Sequence, residues 1–241
     1  MNKNFGKWFL SKVKKAIKDF NMIQDGDRVA VGVSGGKDST TLVYIMSLLK
    51  KYSHINFELA AITLDMGWNV DFTPLKKFCE KHEVPLYIQK TMIGPLLFDY
   101  RKEKKPCSLC AKLRGGALYG KAKELGFDTV ALGHHGDDAV ETLFLNMVFT
   151  GRIATFYPNT FLDRKKIRLI RPMVYLKEST IESIVKTAGI PVLQNPCPAN
   201  GHTNRHEMKK IIDRFESIFP NARDNFIASL KNIDHESFWN S

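Results

Sequence analysis

The sequence predicts an α/β protein with an open, mostly parallel sheet and helices on both faces. Apolar runs of strand length alternate with segments whose apolar residues recur at helical spacing, which is typical of β/α units. Three polar segments (34–39, Asp65 and 133–138) each follow a predicted strand. Because ligands bind at the carboxyl ends of parallel strands, we expect these segments to form a site at one edge of the sheet.

Each element has its own signal along the chain. Arg28–Val33 is a valine-rich run typical of a buried parallel strand, and 40–50 has apolar residues at helical spacing. The run 57–64 predicts a second strand, which ends at Asp65. The other predicted strands are 85–89, 128–132 and 167–170, and the other predicted helices are 72–82, 108–125, 137–149, 177–188, 207–218 and 222–229.

The length of 241 residues and a hydrophobic share of 44% allow one core of ordinary domain size. We expect a basic amphipathic helix within 1–24 that packs on the domain. The main α/β domain, with an inserted Cys-x-x-Cys segment, should cover 25–190, and a cysteine loop followed by helices should cover 191–241.

The net charge of +11 favours a polyanionic partner, and nucleic acid is the main candidate. Lysines and arginines cluster at 12–18, 101–105, 164–171 and 209–214. No run approaches the roughly 20 apolar residues of a membrane span, and the first residues lack the apolar core of a secretory signal. We therefore expect a cytoplasmic protein without stable membrane association, and its four cysteines do not indicate a disulfide framework.

The segment 34–39, SGGKDS, has the features of a phosphate-binding loop. Gly35 and Gly36 lack Cβ atoms, so backbone N–H groups can approach an anion at the start of the following helix. The Walker pattern requires Ser or Thr after Gly-Lys, but Asp38 follows Lys37, and the dinucleotide pattern of three spaced glycines is absent.

A second motif, LGHHGDDAVET at 132–142, joins a predicted strand to a predicted helix. Asp137, Asp138 and Glu141 share one face of that helix. Carboxylates beside bound phosphates need a cation, and Mg²⁺ fits because it takes oxygen ligands. The alternative is that Asp137 caps the helix while Asp138 and Glu141 offset its dipole.

Three cysteines form a candidate metal set. Cys107 and Cys110 open a helix after a basic loop, and Cys197 lies between prolines. The helix N-terminus and nearby lysines should lower the pKa of the first two thiols. The set fits a three-cysteine [4Fe–4S] cluster with one open iron, a zinc site completed by His202, His206 or Cys79, or a redox pair of Cys107 and Cys110.

Together these motifs resemble a known family. SGGKDS is similar to the pyrophosphate loop of the PP-loop ATPases, or N-type ATP pyrophosphatases, and 132–142 to the GHxxDDxxET motif of PP-loop tRNA-modifying enzymes. With PCSLCAKLRGG, PMVYLKE and a late Cys after Pro, about residues 5–220 resemble the TtcA-type tRNA 2-thiocytidine synthetases. The resemblance implies a Rossmann-like HUP fold, also called adenine nucleotide alpha hydrolase-like.

The resemblance also implies a reaction. It is ATP-dependent sulfur transfer to C2 of a cytidine in tRNA, at position 32 of the anticodon loop, through an adenylated intermediate. The implied cofactors are ATP, Mg²⁺ and a [4Fe–4S] cluster, and Cys107, Cys110 and Cys197 match the family's cluster ligands. The implied partners are tRNA and a sulfur donor, either a cysteine desulfurase or free sulfide, and a homodimer is compatible with the family.

The resemblance assigns further roles to individual residues. Asp38, Asp137 and Asp138 would position Mg²⁺, and Arg114 would steady the charge of the adenylate. The expected ligands of ATP are Ser34, Gly35, Gly36, Lys37, Asp38, Ser39, Asp65, Gly133 and His134. Asn200 replaces the last cysteine of a second Cys-x-x-Cys that many members carry, which affects the route of sulfur delivery rather than the cluster.

Other functions share part of this pattern. Lysidine-type tRNA ligases have the same two motifs but need no cluster, so the three cysteines count against them. The related tRNA 2-thiouridine synthetases carry paired N-terminal zinc motifs, which this sequence lacks. A non-catalytic, metal-bound RNA-binding module is the alternative outside enzymes, and the intact loop with Asp38 counts against it.

Overall fold

The computed structural model describes residues 6–104, 106–194, 196–199 and 204–237. They group into two compact units, the first within 1–135 and 157–200 and the second within 136–156 and 201–241. The expected division at residues 24 and 190 stays a prediction. None of the described helices is long and apolar enough to span a bilayer.

The first unit contains a six-stranded sheet in the order β3-β2-β1-β4-β6-β5. All neighbouring strands are parallel except β5, which runs antiparallel to β6. The strands are β1 (Arg28–Val33), β2 (Glu58–Asp65), β3 (Leu86–Lys90), β4 (Thr129–Ala131), β5 (Asn159–Leu162) and β6 (Ile167–Ile170). This confirms the predicted open, mostly parallel sheet.

The helices of the first unit precede, connect or follow these strands. They are α1 (Lys7–Asp19), α2 (Lys37–Tyr52), α3 (Thr73–Lys81), α4 (Ile93–Pro95), α5 (Pro106–Glu124) and α7 (Glu178–Ala188), and a π-helical turn, Leu96–Tyr100, follows α4. Gly189 ends α7 in the left-handed conformation, as its sequence position predicts. The amphipathic α1 buries Phe9, Val13 and Ala16 and leaves its lysines at 12, 14, 15 and 18 exposed.

The core of the sheet explains why apolar runs become strands here. Ala30 of β1, Ile62 of β2 and Val130 of β4 are fully buried against Leu118 and Ala122 of α5. Alternate residues of a strand point to opposite faces, and Val29 and Val31 are also fully buried. Both faces of β1 are therefore covered, which is typical of a central parallel strand.

The order of the strands determines where the functional segments meet. Val29 of β1 lies between Leu59 of β2 and Thr129 of β4. The chain continues from β1 to β2 on one side and later returns to β4 on the other, so β1 and β4 flank the switch in strand order. Loops that follow β1 and β4 therefore begin side by side at the carboxyl edge.

The structure contains one strand that the sequence analysis missed. β5 is a short edge strand of four residues, and its residues are partly or fully exposed. It joins β6 through a turn in which Lys166 has a φ of +49°.

Within the basic cluster 164–171, the Arg168 guanidinium pairs with both carboxylate oxygens of Asp27 at 2.9 and 3.0 Å. Arg168 therefore stabilises the fold and is not part of an exposed basic surface.

The second unit consists of helices. They are α6 (Gly136–Thr150), α8 (Asn204–Ile218), α9 (Ala222–Ser229) and a 3₁₀ turn, His235–Ser237. Val140 of α6 is buried against Met208 and Ile212 of α8. Phe144, Phe215 and Phe226 add a cluster of tilted and edge-on rings with centroids 5.0–5.9 Å apart.

Candidate active site

The glycine loop connects β1 directly to α2. Gly35 has a φ of +82°, a conformation that favours glycine, and Gly36 is the N-cap of α2. The Ser34 N–H donates to Ser39 Oγ at 3.0 Å, and the two hydroxyl oxygens are also 3.0 Å apart. These bonds close the loop around the helix start, where the first-turn N–H groups have no intrahelical acceptor and can bind an anion.

A distant segment supports this loop from the side. The Leu193 N–H donates to the Gly35 carbonyl oxygen at 2.9 Å. A Cβ on residue 35 would lie 2.8 Å from Leu193 Cδ1, so only glycine fits there without movement. The sequence analysis missed Leu193, since nothing in its local pattern indicates a partner 158 residues away.

Gly133 allows the chain after β4 to approach the loop closely. A Cβ at this position would lie 2.9 Å from both the N and Cα atoms of Ser39 and 3.0 Å from the carbonyl carbon of Asp38. These are backbone atoms of α2, which cannot rotate away as a side chain can. The observed role of Gly133 is therefore to allow close packing of the two segments, while contact with a nucleotide stays a prediction.

Replacing Gly133 with alanine should push the β4 end and the α2 start apart. We expect a loss of about 1–3 kcal/mol in the free energy of unfolding, as for other overpacked sites. The affinity for ATP should fall about tenfold, equivalent to about 1.4 kcal/mol. Urea unfolding and equilibrium binding of ATP would measure the two effects.

Gly120→Ala provides the matched control for that variant. A Cβ at residue 120 of α5 meets no atom within 4 Å, so this change should raise stability by up to about 1 kcal/mol through helix propensity. Equal effects of the two variants would contradict the close packing at Gly133.

Lys37, the first residue of α2, points its ammonium group at two carboxylates. The Nζ atom lies 2.9 Å from Asp38 Oδ1 and 2.7 Å from Glu178 Oε1 at the start of α7. Burial lowers the pKa of Lys37, but the hydrogen bonds and charges of Glu178 and Asp38 outweigh this, and its pKa is raised overall. The sequence analysis assigned no role to Glu178.

The Asp38 carboxylate also has a histidine near it. His135 Nε2 lies 3.8 Å from Asp38 Oδ1, and His135 is buried after the end of β4, beside Met173. The sequence analysis chose the neighbouring His134, which is half-buried in the same segment. His135 is therefore the histidine observed near the Asp38 carboxylate, and contact of His134 with ATP stays a prediction.

A cavity of about 230 Å³ opens beside the glycine loop. One wall is the loop itself, a second is the apolar segment at the end of β2 and beyond it, and a third carries thiols and a guanidinium. The lining residues are Ser34, Gly36, Leu64, Met66, Trp68, Val70, Phe72, Cys110, Arg114, Leu193, Gln194, Pro196 and Cys197.

Asp65 lies between two residues that line this cavity. Its Oδ1 accepts a hydrogen bond from the Gly67 N–H at 2.9 Å, and its carbonyl oxygen accepts from the N–H and hydroxyl groups of Thr91. The residues on either side of it, Leu64 and Met66, line the cavity. The predicted location at the end of β2 is confirmed, and a direct contact with adenosine stays a prediction.

The three candidate thiols occupy different environments. Cys110 and Cys197 are half-buried and line the cavity, while Cys107, one helical turn before Cys110 on α5, is exposed. Cys79 is separate and buried in α3, where burial and the charge of Glu80 raise its pKa to about 11. Cys79 is therefore the core residue that its helical pattern indicates.

The expected low pKa of Cys110 is wrong. Burial raises the pKa of this thiol, and the charges of Cys197 and Cys107 add to the effect. Arg114 opposes it through its charge and a hydrogen bond. Desolvation outweighs the effect of the guanidinium because Cys110 is partly buried in the wall of the cavity.

The described ranges contain no group of three His, Cys, Asp or Glu side chains already arranged around a metal ion. Even so, the donor set suits a soft metal centre, because two thiols share one cavity and the third is one turn away. His202 and Asn200, which bear on the zinc and sulfur-delivery alternatives, lie outside the described residues.

The acidic residues of α6 pair with arginines inside the second unit. Asp137 is buried and accepts a hydrogen bond from Arg223 of α9. Arg205 of α8 donates to Asp138 Oδ1 at 2.9 Å and to Glu141 Oε2 at 3.1 Å. The sequence analysis missed both arginines, and its assignment of Asp137 and Asp138 to Mg²⁺ stays a prediction.

Comparison with known proteins is consistent with this geometry. Residues 8–213 match the family ATP_bind_3, described as a PP-loop domain. The tRNA-cytidine(32) 2-sulfurtransferase of Pelobacter propionicus is 37% identical over 225 residues, which cover 92% of this chain and 84% of that protein. That of Syntrophotalea carbinolica is 37% identical, with 91% and 86% covered.

Solved structures agree on the fold. The U34-tRNA thiolase NcsA from Methanococcus maripaludis, solved with its [4Fe-4S] cluster, superposes with a TM-score of 0.74 at 22% identity, covering 94% of this chain and 79% of that one. The NAD+ synthetase from Burkholderia pseudomallei superposes with a TM-score of 0.52 at 14% identity, with 96% and 88% covered. At these identities the likeness concerns the fold alone.

Proposed function

Because this chain belongs to the PP-loop domain family, and within it to the tRNA-cytidine(32) 2-sulfurtransferases, we propose that it transfers sulfur to C2 of cytidine 32 in tRNA. ATP would be cleaved to AMP and pyrophosphate in the process. One observation carries the proposal: the glycine loop, Cys110, Cys197 and Arg114 line the same cavity. A phosphate site and a thiol site within one cavity suit a reaction that couples ATP cleavage to sulfur chemistry.

The glycine loop would bind the phosphates of ATP. Backbone N–H groups at the α2 start and the hydroxyls of Ser34 and Ser39 supply donors. Lys37 adds a positive charge that offsets the charge of the leaving pyrophosphate. Asp38, whose side chain is about one third exposed, would hold the Mg²⁺ ion that accompanies ATP.

Adenylation makes the cytidine reactive. The C2 oxygen forms a bond to the α-phosphorus of ATP, and the bond from that phosphorus to the bridging oxygen breaks as pyrophosphate leaves. A sulfur nucleophile then bonds to C2, and the C2–O bond breaks as AMP leaves with the oxygen. Arg114, which lines the cavity, would stabilise the negative charge on the adenylate.

Cys107, Cys110 and Cys197 would hold a [4Fe–4S] cluster. Three thiolates around a four-iron cluster would leave one iron open, and that iron would supply a site for a sulfur atom. The shared cavity of Cys110 and Cys197 supports this assignment, as does the single helical turn between Cys107 and Cys110.

The exposed lysines of α1 suit contact with the phosphate backbone of tRNA.

The test is direct detection of the product. We expect the anaerobically purified protein to contain about four irons per chain, the content of a [4Fe–4S] cluster. It should convert unmodified tRNA to a form containing 2-thiocytidine when given ATP, Mg²⁺ and sulfide. Mass spectrometry of digested nucleosides identifies the product, and iron and acid-labile sulfide analysis identifies the cluster.

Two cysteine variants make the test specific. Cys197→Ala should lose the cluster and lower thiolation at least about a hundredfold, since removing a ligand removes the site of the sulfur. Cys79→Ala, a change in the core away from the cavity, should retain both iron and activity. A wild-type protein that forms AMP without iron or 2-thiocytidine would instead indicate a lysidine-type ligase, and one without ATP turnover would indicate an RNA-binding module.

A further inference from the structure

Glu178 is a carboxylate placed against the phosphate loop from a different element. It is the first residue of α7, and its Oε1 atom lies 2.7 Å from Lys37 Nζ at the first residue of α2. α2 and α7 pack against each other, which holds the two helix starts together. The side chains are 30% exposed for Lys37 and 17% exposed for Glu178, so the pair is more buried than a surface ion pair.

The position of this carboxylate is unfavourable for simple anion binding. A negative charge beside a phosphate site repels the triphosphate, and it competes for the ammonium group that the triphosphate needs. An ion pair at the surface would contribute little to stability and would be easy to replace. The geometry therefore points to an advantage in turnover rather than in binding.

Holding the Lys37 side chain in one orientation can provide this advantage in turnover. A lysine side chain has several rotatable bonds, and fixing it costs conformational entropy. Glu178 and Asp38 hold Nζ from two sides at 2.7 and 2.9 Å. A positive charge that is already fixed stabilises charge developing in a transition state better than a mobile one, because no reorganisation is needed during the reaction.

We propose that Glu178 is the positioning residue for Lys37 in ATP cleavage, holding the ammonium group ready for the phosphate charge that develops as pyrophosphate leaves. The inference rests on the proposed function in one respect, namely that ATP is the nucleotide cleaved at this loop. It adds a residue of α7 to the machinery of the glycine loop.

This role predicts opposite effects on binding and turnover. In Glu178→Gln the repelling charge is gone, so ATP should bind as tightly as in wild type or up to about threefold more tightly. A neutral amide oxygen is a weaker acceptor for an ammonium group than a carboxylate, so Lys37 is held less firmly and the rate of AMP formation at saturating ATP and tRNA should fall about tenfold. A variant with only a damaged structure would bind ATP more weakly.

The experiment uses the full chain in four variants. Glu178→Gln and Lys37→Met are made singly and together, and Glu182→Gln is the control, because Glu182 is an exposed glutamate one turn further along α7. Equilibrium binding of ATP and the rate of AMP formation are measured for each. If Glu178 acts through Lys37, the double variant should be no slower than Lys37→Met alone.

Each outcome has one meaning. Slower turnover without weaker ATP binding in Glu178→Gln, together with a non-additive double variant and a control like wild type, supports the inference. Turnover of Glu178→Gln equal to that of Glu182→Gln overturns it, as does a further loss in the double variant. Absence of ATP binding by the wild type would overturn the proposed function and this inference with it.

Discussion

Asp38→Asn should lower the rate of AMP formation at least about a hundredfold while the protein remains folded. The amide keeps an oxygen that can accept the Lys37 hydrogen bond, which the Asp38 carboxylate now accepts at 2.9 Å. The change therefore removes the negative charge that would hold Mg²⁺, while the shape of the side chain and a weaker form of this hydrogen bond remain. A Lewis-acid cation contributes several kcal/mol to a phosphoryl-transfer transition state, and each 1.4 kcal/mol is about tenfold in rate.

The measurement is AMP formation with tRNA at saturating ATP, over a range of Mg²⁺ concentrations. Chelation of Mg²⁺ should reduce the wild-type rate to the level of the variant and should leave the variant unchanged. Asp99→Asn, an exposed carboxylate in the π-helical turn, is the control and should behave like wild type. A rate for Asp38→Asn within threefold of wild type would remove Asp38 from the mechanism.

Arg223→Met should reduce the free energy of unfolding of the protein by about 3–5 kcal/mol, which is the cost of removing one partner of a buried ion pair. Asp137 is only 2% exposed, and its carboxylate pairs with Arg223. Burial lowers the pKa of Arg223, but Asp137 and Asp213 outweigh this and raise it, so the guanidinium remains charged. Removing the guanidinium takes a positive charge away from a buried carboxylate.

Urea unfolding followed by circular dichroism measures this loss. Arg214→Met is the matched control, because Arg214 is exposed on α8, and it should change stability by less than about 0.5 kcal/mol. The double variant Arg223→Met with Asp137→Asn should recover part of the stability, since the uncompensated charge is then gone. Equal losses for Arg223→Met and Arg214→Met would show that the pair contributes no more than a surface contact.

The local spacing of apolar residues in the sequence predicted most of the strands and helices. The bounds of β1, β6 and α9 agree with the sequence analysis, because each is a continuous apolar or amphipathic run with clear ends. The predicted helix 40–50 begins earlier, at Lys37, since the polar residues of the glycine loop conceal its first turn. The edge strand β5 was missed because it buries little and pairs on one side only.

The candidate site was predictable only in part. Glycine, serine and lysine types at 34–39 indicate a phosphate loop wherever a strand and a helix flank them, and the structure provides that context. The tertiary structure was needed to show the support from Leu193, the contact of His135 with Asp38 and the half-buried setting of Cys110. The pKa of Cys110 in particular depends on how deeply α5 places it, which helix position alone does not reveal.

Residue type and spacing within a few turns were enough to predict the order of elements, a glycine loop of phosphate-binding type and the three candidate thiols. The partners of the charged side chains became apparent only in the folded protein. Lys37 meets Glu178 across 141 residues, and Asp137 meets Arg223 across 86. Such pairs depend on strand order and helix packing, because a charge can pair with any opposite charge and the fold selects which one comes close.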